Sequence, residues 1–285
     1  QYQGLYIIFA TLLGWLKLYM DFSAGIDIAR GAAQLFGIIL PENFTQPFFA
    51  ETVGEFWYRW HITLNNWWRD YIFYPLTTSK PLNSLRKKCR QIFGDDIGKK
   101  LPTFLVLIIV RIINSIWHGA TFTALVGGIY HGLMVGFGFM LEEKIERLSK
   151  KLRINTECSS WKLFRMVRTY LIISVPEVMS NCRGPQDVLL RLKSLFSVWN
   201  PWILFDGSLS KLGITAKEWN VVILGLIIVL LVDIYKETGK SVREWISKQN
   251  IVFRWLFYYA FIFFILIYGA YGPGYDAASF RYAQY

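Results

Sequence analysis

Residues 101–140 form an almost wholly apolar stretch, and this stretch constrains the chain more than any other feature. As a single helix it would run about 60 Å, twice the roughly 30 Å hydrocarbon core of a bilayer. It must therefore break, and the natural place is Trp117-His118-Gly119-Ala120, near its centre. Two basic segments flank it. Residues 77–100 carry seven Lys/Arg against two Asp, and residues 141–168 carry eight Lys/Arg against four Glu. Excess Lys and Arg near membrane ends mark the cytoplasmic side. With both segments there, 101–140 becomes a helical hairpin whose tip carries His118.

Composition supports a membrane setting. The chain is 54% hydrophobic and only 18% charged, whereas soluble domains average about 25% charged residues. Twelve Trp and sixteen Tyr suit the boundary between hydrocarbon and water. The net charge of +11 does not point to nucleic acid, because the basic residues collect between apolar runs. Cys89, Cys158 and Cys182 show no CxxC spacing, which argues against structural disulfides and a zinc site. The expected fold is an all-α, polytopic membrane protein in the cell membrane, read as one domain over 1–285. The start at Gln1 without a signal pattern suggests that earlier spans precede it.

A first span is expected over Gly4–Met20. Asp21, Asp27 and Arg30 then lie among small residues, which suggests a segment packed inside protein, re-entrant in form. Residues 55–76 read as one interfacial amphipathic helix. Trp57, Trp60, His61, Leu64, Trp67, Trp68 and Tyr71 recur at helical spacing, and Pro75 stops it. Further spans are expected near 163–180, 219–235 and 254–271, with the tail YGPGYDAASFRYAQY outside.

Few residues offer chemistry. The three histidines form no HxxxH or HExxH pair, and no GxSxG elbow is present. His118 sits in the middle of an apolar run, where a polar ring is costly unless it works or is paired. It is either a general base or a structural histidine bonded to backbone carbonyls at the bend. His131 can approach it only if the hairpin is broken; it is otherwise a packing residue beside Gly128, Gly132 and Gly136, whose four-residue spacing lets membrane helices touch. Asn114 and Arg111 share the segment before His118. Arg111 either neutralises a phosphate or carboxylate, or pairs with an internal acid such as Asp21 or Asp27. His61 lies on the aromatic helix, where a wetted polar face is the alternative to a functional role. Arg86, Lys87 and Lys88 form the densest part of a basic cluster. They either orient the chain and touch anionic lipid or hold the phosphates of a donor.

The motifs DFSAGIDIA, LPENFTQPF, EFWYRWHITLNNWWRDYIFYPL and NSIWHGATFTALVGGIYHG, in this order, resemble the bacterial branch of the membrane-bound O-acyltransferase family. The likeness runs from about residue 21 to the end and lacks the family's N-terminal spans. It implies that His118, in the WHG motif, is catalytic, with Trp117 beside it. His61 of RWH and His131 of YHG would be supporting residues. It implies transfer of an acyl group, acetyl in the leading case, from a cytoplasmic thioester to a hydroxyl. The acceptor would be a cell-surface polysaccharide or an extracytoplasmic partner acyltransferase. The donor would be acetyl-CoA or a carrier-protein thioester, with no bound cofactor and no metal. WHGA and the ending FRYAQY favour the O-acetyltransferase group over the D-alanyl transfer proteins of teichoic acid. A transporter or a non-enzymatic scaffold would share the broken helices, but would give no reason for a histidine at a hairpin tip.

Overall fold

The computed structural model describes residues 2–179, 182–213 and 215–269. The tail beyond 269 lies outside the described residues. Among those described, the regular structure is all helical, apart from one isolated bridge between Phe44 and Trp60. It forms two compact units, Gln1–Trp199 and Asn200–Tyr285. Five helices are long and apolar enough to cross a membrane, and the protein is a multi-pass membrane protein.

In the first unit, α1 (Leu5–Leu35) is one continuous helix. The expected break after Met20 does not occur. Residues 21–35 prolong the helix, and Ile28 and Leu35 are exposed rather than packed inside protein. Small residues and good helix formers keep the ladder intact, while Asp27 is neutralised by Arg30 at 3.0 Å on the surface.

The aromatic segment is also not one helix. It breaks into α2 (Val53–Arg59), α3 (Ile62–Trp68), a π-helical turn Arg69–Phe73 and α4 (Tyr74–Thr78). Trp60 leaves the helix to bridge Phe44, and His61 adopts a left-handed conformation with φ 46°. Side-chain periodicity survives this break, which is why the sequence reads as continuous.

The helix α5 (Lys80–Trp117) reverses at Gly94, whose φ of 78° and ψ of 174° are open only to a residue without Cβ. Its arms, 80–93 and 95–117, lie side by side. Arg90 reaches Asp95 across the turn at 2.7 Å, and Leu82 joins Val106, Val110 and Trp68 in one apolar cluster. The basic segment 77–100 is thus largely helical, not a loop. The second arm, about 34 Å long, is matched to a bilayer.

The second arm runs antiparallel to α6 (Phe122–Lys151). Gly128 faces Ile112 and Ser115, Gly132 faces Ile108, and Gly136 faces Phe104, so the glycine strip is the contact surface. Lys100 and Glu143 pair at 2.7 Å at the basic end. α7 (Ser159–Ser174) is too short to be counted among the spanning helices, contrary to the span expected at 163–180. The charges that interrupt it are used: Arg165 pairs with Glu51, and Arg168 donates to the Glu51 carbonyl. α8 (Pro185–Ser197) follows, and its Ser194 hydroxyl accepts from Gly4 at the start of α1 at 3.1 Å.

The second unit holds α9 (Ala216–Glu237), α10 (Val242–Ser247) and α11 (Ile251–Tyr268). Both long helices fall where the sequence places spans. Each is apolar all round and buries little within the unit, which suits helices surrounded by hydrocarbon.

Candidate active site

The hairpin breaks where its length demands. His118 caps α5, its N–H reaching the Asn114 carbonyl at 3.4 Å, and Gly119 bonds back to Ile116 at 3.0 Å. Thr121 then starts α6, its hydroxyl accepting from the Ala124 N–H at 3.1 Å. The Ser115 hydroxyl donates to the Ala124 carbonyl at 2.6 Å and ties the two helices together just below the tip. Trp117 is more than half exposed. Its ring lies 4.7 Å from that of His118 and 6.3 Å from that of Trp68.

The second imidazole comes from the break between α2 and α3. A non-glycine residue with φ near +46° costs on the order of 1–2 kcal/mol and persists only where its surroundings fix it. Two asparagines do so here. The Asn43 side-chain oxygen accepts from the Thr63 N–H at 3.2 Å, from the Thr63 hydroxyl at 2.6 Å, and from His61 Nδ1 at 3.1 Å. The Asn65 amide donates to the carbonyls of Trp60 at 2.6 Å and His61 at 3.3 Å. Because a backbone N–H can only donate, the Asn43 atom facing it is the oxygen. His61 Nδ1 must then carry the proton, and the lone pair falls on Nε2. Burial, with a smaller contribution from the charge of His118, pushes the His61 pKa down to about 4. His61 is therefore neutral at pH 7, and a charge on His118 opposes one on His61.

An aromatic core holds this bend. Trp15, Tyr19 and Phe22 of α1 pack edge-on against Phe44, Phe56, Trp57 and Trp60, and Phe22 meets the His61 ring at 4.8 Å. Such edge-to-face pairs add roughly 0.5–1.5 kcal/mol each beyond area burial.

The structure thus sets Trp117 against His118 at the tip, with Asn114 one turn below, and holds His61 at the α2–α3 break, where it feels the charge of His118. His131 does not join them. With Gly132 against Ile108, it stands about two and a half turns from the tip, roughly 14 Å. Its ring packs edge-on to Trp57 at 5.1 Å and Trp15 at 6.3 Å, with Nδ1 enclosed and unpartnered among the described residues. Arg111 pairs with neither Asp21 nor Asp27. It donates to the Asn65 oxygen at 3.2 Å and lies over the Trp57 ring at 4.3 Å. Asp27 is unavailable because Arg30 holds it. Arg86, Lys87 and Lys88 sit on the first arm of α5, at the basic end and remote from His118. Arg86 is held by Asn83 at 2.7 Å, and Lys87 borders a shallow cavity of about 360 Å³ with Arg90, Gln91 and Asp95. Asn43 and Asn65 had no signature in the sequence beyond lying in polar punctuation between aromatic runs.

The chain is similar to proteins described as alginate O-acetylases, a peptidoglycan O-acetyltransferase and teichoic acid D-alanyltransferases. It is 27% identical over 218 residues to a protein described as probable alginate O-acetylase AlgI of Azotobacter vinelandii, covering 76% of this chain and 38% of that one. It is 36% identical over 117 residues to the peptidoglycan O-acetyltransferase of Helicobacter pylori, covering 41% of this chain and 19% of that one. It is 31% identical over 116 residues to the teichoic acid D-alanyltransferase of Streptococcus thermophilus, covering 41% and 26%. The chain spans about two fifths of the length of the first relative and less of the others. No family model matches it.

Proposed function

We propose that this chain is the membrane-embedded core of an O-acyltransferase. It would move an acyl group, acetyl in the leading case, from a cytoplasmic thioester to a hydroxyl on a cell-surface polysaccharide or on an extracytoplasmic partner transferase. The observation that carries this reading is the placement of two imidazoles at two helix breaks, His118 half-buried at the hairpin tip and His61 held at the α2–α3 bend by Asn43.

The chemistry needs a base for the acceptor and a route for the leaving group. A His118 nitrogen takes the hydroxyl proton as the oxygen attacks the thioester carbonyl. The C–O bond forms, the C–S bond breaks, and the departing thiolate recovers the proton. His61, with a pKa near 4, is poorly matched to proton removal at pH 7. Its role is to orient the acceptor or His118 through Nε2. Arg86, Lys87 and Lys88 stand at the basic end, where a carrier's phosphates would meet them. D-alanyl transfer from a carrier protein is the second reading, and the D-alanyltransferase relative favours it.

The test is turnover by the purified full chain with labelled acetyl-CoA and with a D-alanylated carrier protein, for wild type and His118→Ala. General base catalysis is typically worth about 10²–10⁴-fold. A His118→Ala protein that keeps more than about a tenth of wild-type turnover overturns the assignment.

A further inference from the structure

One charge in the apolar hairpin is not used by this chemistry. Among the described residues Arg111 forms no ion pair, only its hydrogen bond to Asn65 and its contact with the Trp57 ring. The acids of the aromatic segment 51–78 are engaged elsewhere: Glu55 with Arg59, Glu51 with Arg165, and Asp70 with Arg69. A cation kept in a membrane-spanning arm without a partner is expensive, and its field reaches farther there than in water. That field falls on the candidate site. Arg111 is two turns from His118 on the same arm, about 10 Å along the axis. Through Asn65, its guanidinium is two hydrogen bonds from the His61 carbonyl.

We infer that Arg111 is a specificity-determining residue that selects acyl groups by charge, admitting neutral ones and disfavouring those that carry an ammonium. This rests on the acyl-transfer reading and deepens it, because it separates an acetyl donor from an aminoacyl donor. The donor's phosphates are common to all candidates and cancel in the comparison. Two unit positive charges on the order of 10 Å apart, at an effective dielectric of about 20, change kcat/KM by roughly tenfold.

The experiment uses the full chain at pH 7 with propionyl-CoA and D-alanyl-CoA, which differ only in the α-ammonium. The readout is the ratio of their kcat/KM values. Arg111→Gln keeps a donor for Asn65 but removes the charge, and should lower the propionyl preference roughly tenfold; Arg111→Lys should keep it. Arg111→Met, which removes the charge and leaves Asn65 in place, should lower it similarly and serves if Arg111→Gln does not fold. A ratio that stays within twofold of wild type in Arg111→Gln or Arg111→Met overturns the inference while acyl transfer stands. A wild-type protein that uses no thioester removes the transfer reading, and the inference with it.

Discussion

Replacing Gly132 with alanine measures how tightly the hairpin that carries His118 is closed. A methyl there would stand 2.7 Å from the Ile108 Cα and 3.3 Å from its Cβ and Cγ2. The first neighbour is backbone, so no rotamer change relieves it. The two helices must part by about 1 Å to restore ordinary contact at 3.5–4.0 Å. Overpacking of this kind costs about 1–3 kcal/mol. Alanine also gains up to about 1 kcal/mol of helix propensity over glycine, so the raw change would understate the clash. Gly138 supplies the reference, since it lies on the same helix and a Cβ there meets nothing within 4 Å. The propensity gain is common to both variants, and their difference isolates packing. Equilibrium unfolding in mixed detergent micelles, followed by circular dichroism, should show Gly132→Ala less stable than Gly138→Ala by about 1–3 kcal/mol. A difference below about 0.5 kcal/mol refutes the close approach of the two backbones.

Asn43→Ala removes one oxygen that accepts from His61 and twice from Thr63. It should cost about 2–3 kcal/mol in the same assay, with Asn43→Asp recovering most of it; an unchanged stability would mean that the His61 bend does not depend on Asn43. In a background lacking Cys89, Cys158 and Cys182, cysteines placed at Lys88 and at Thr123 should react with an impermeant maleimide from opposite sides of the membrane. Labelling of both from one side would contradict the hairpin.

The hairpin was legible because length and hydrocarbon thickness leave a long apolar run no other option, and the glycine spacing then fixes which face of α6 meets α5. The break at His61 was not legible. Trp57, Trp60, Leu64 and Trp68 keep helical spacing through it, and a histidine gives no warning of a positive φ. What specifies the bend is Asn43, eighteen positions earlier in the chain, through contacts that local pattern does not encode. The reversal at Gly94 was missed for the opposite reason. Its basic surroundings read as loop, although the charges point outward from two helical arms joined by the Arg90–Asp95 bridge. Charge alone offers Arg111 either a bound anion or an internal acid such as Asp21 or Asp27. Tertiary structure gives Asp27 to Arg30 and leaves Arg111 an amide and an indole.

Both imidazoles of the candidate site stand where a helix stops. A buried backbone N–H or C=O freed from the helical ladder needs another partner, so a break persists where side chains replace the lost ladder. At the tip, Thr121 and Ser115 do this; at the α2–α3 break, Asn43 and Asn65 do. These substitutes make each break rigid, and a rigid break is the one place in such a fold where a polar ring can be aimed away from its own helix axis. Asn65 links the two structurally, because the amide that holds the carbonyl of His61 also accepts from Arg111, on the arm that ends in His118. A change at Asn65 therefore reaches the His61 bend and the uncompensated charge at once. Its effect on acyl selectivity must be read against that of Arg111→Gln, which keeps an amide donor for Asn65 and alters the charge alone.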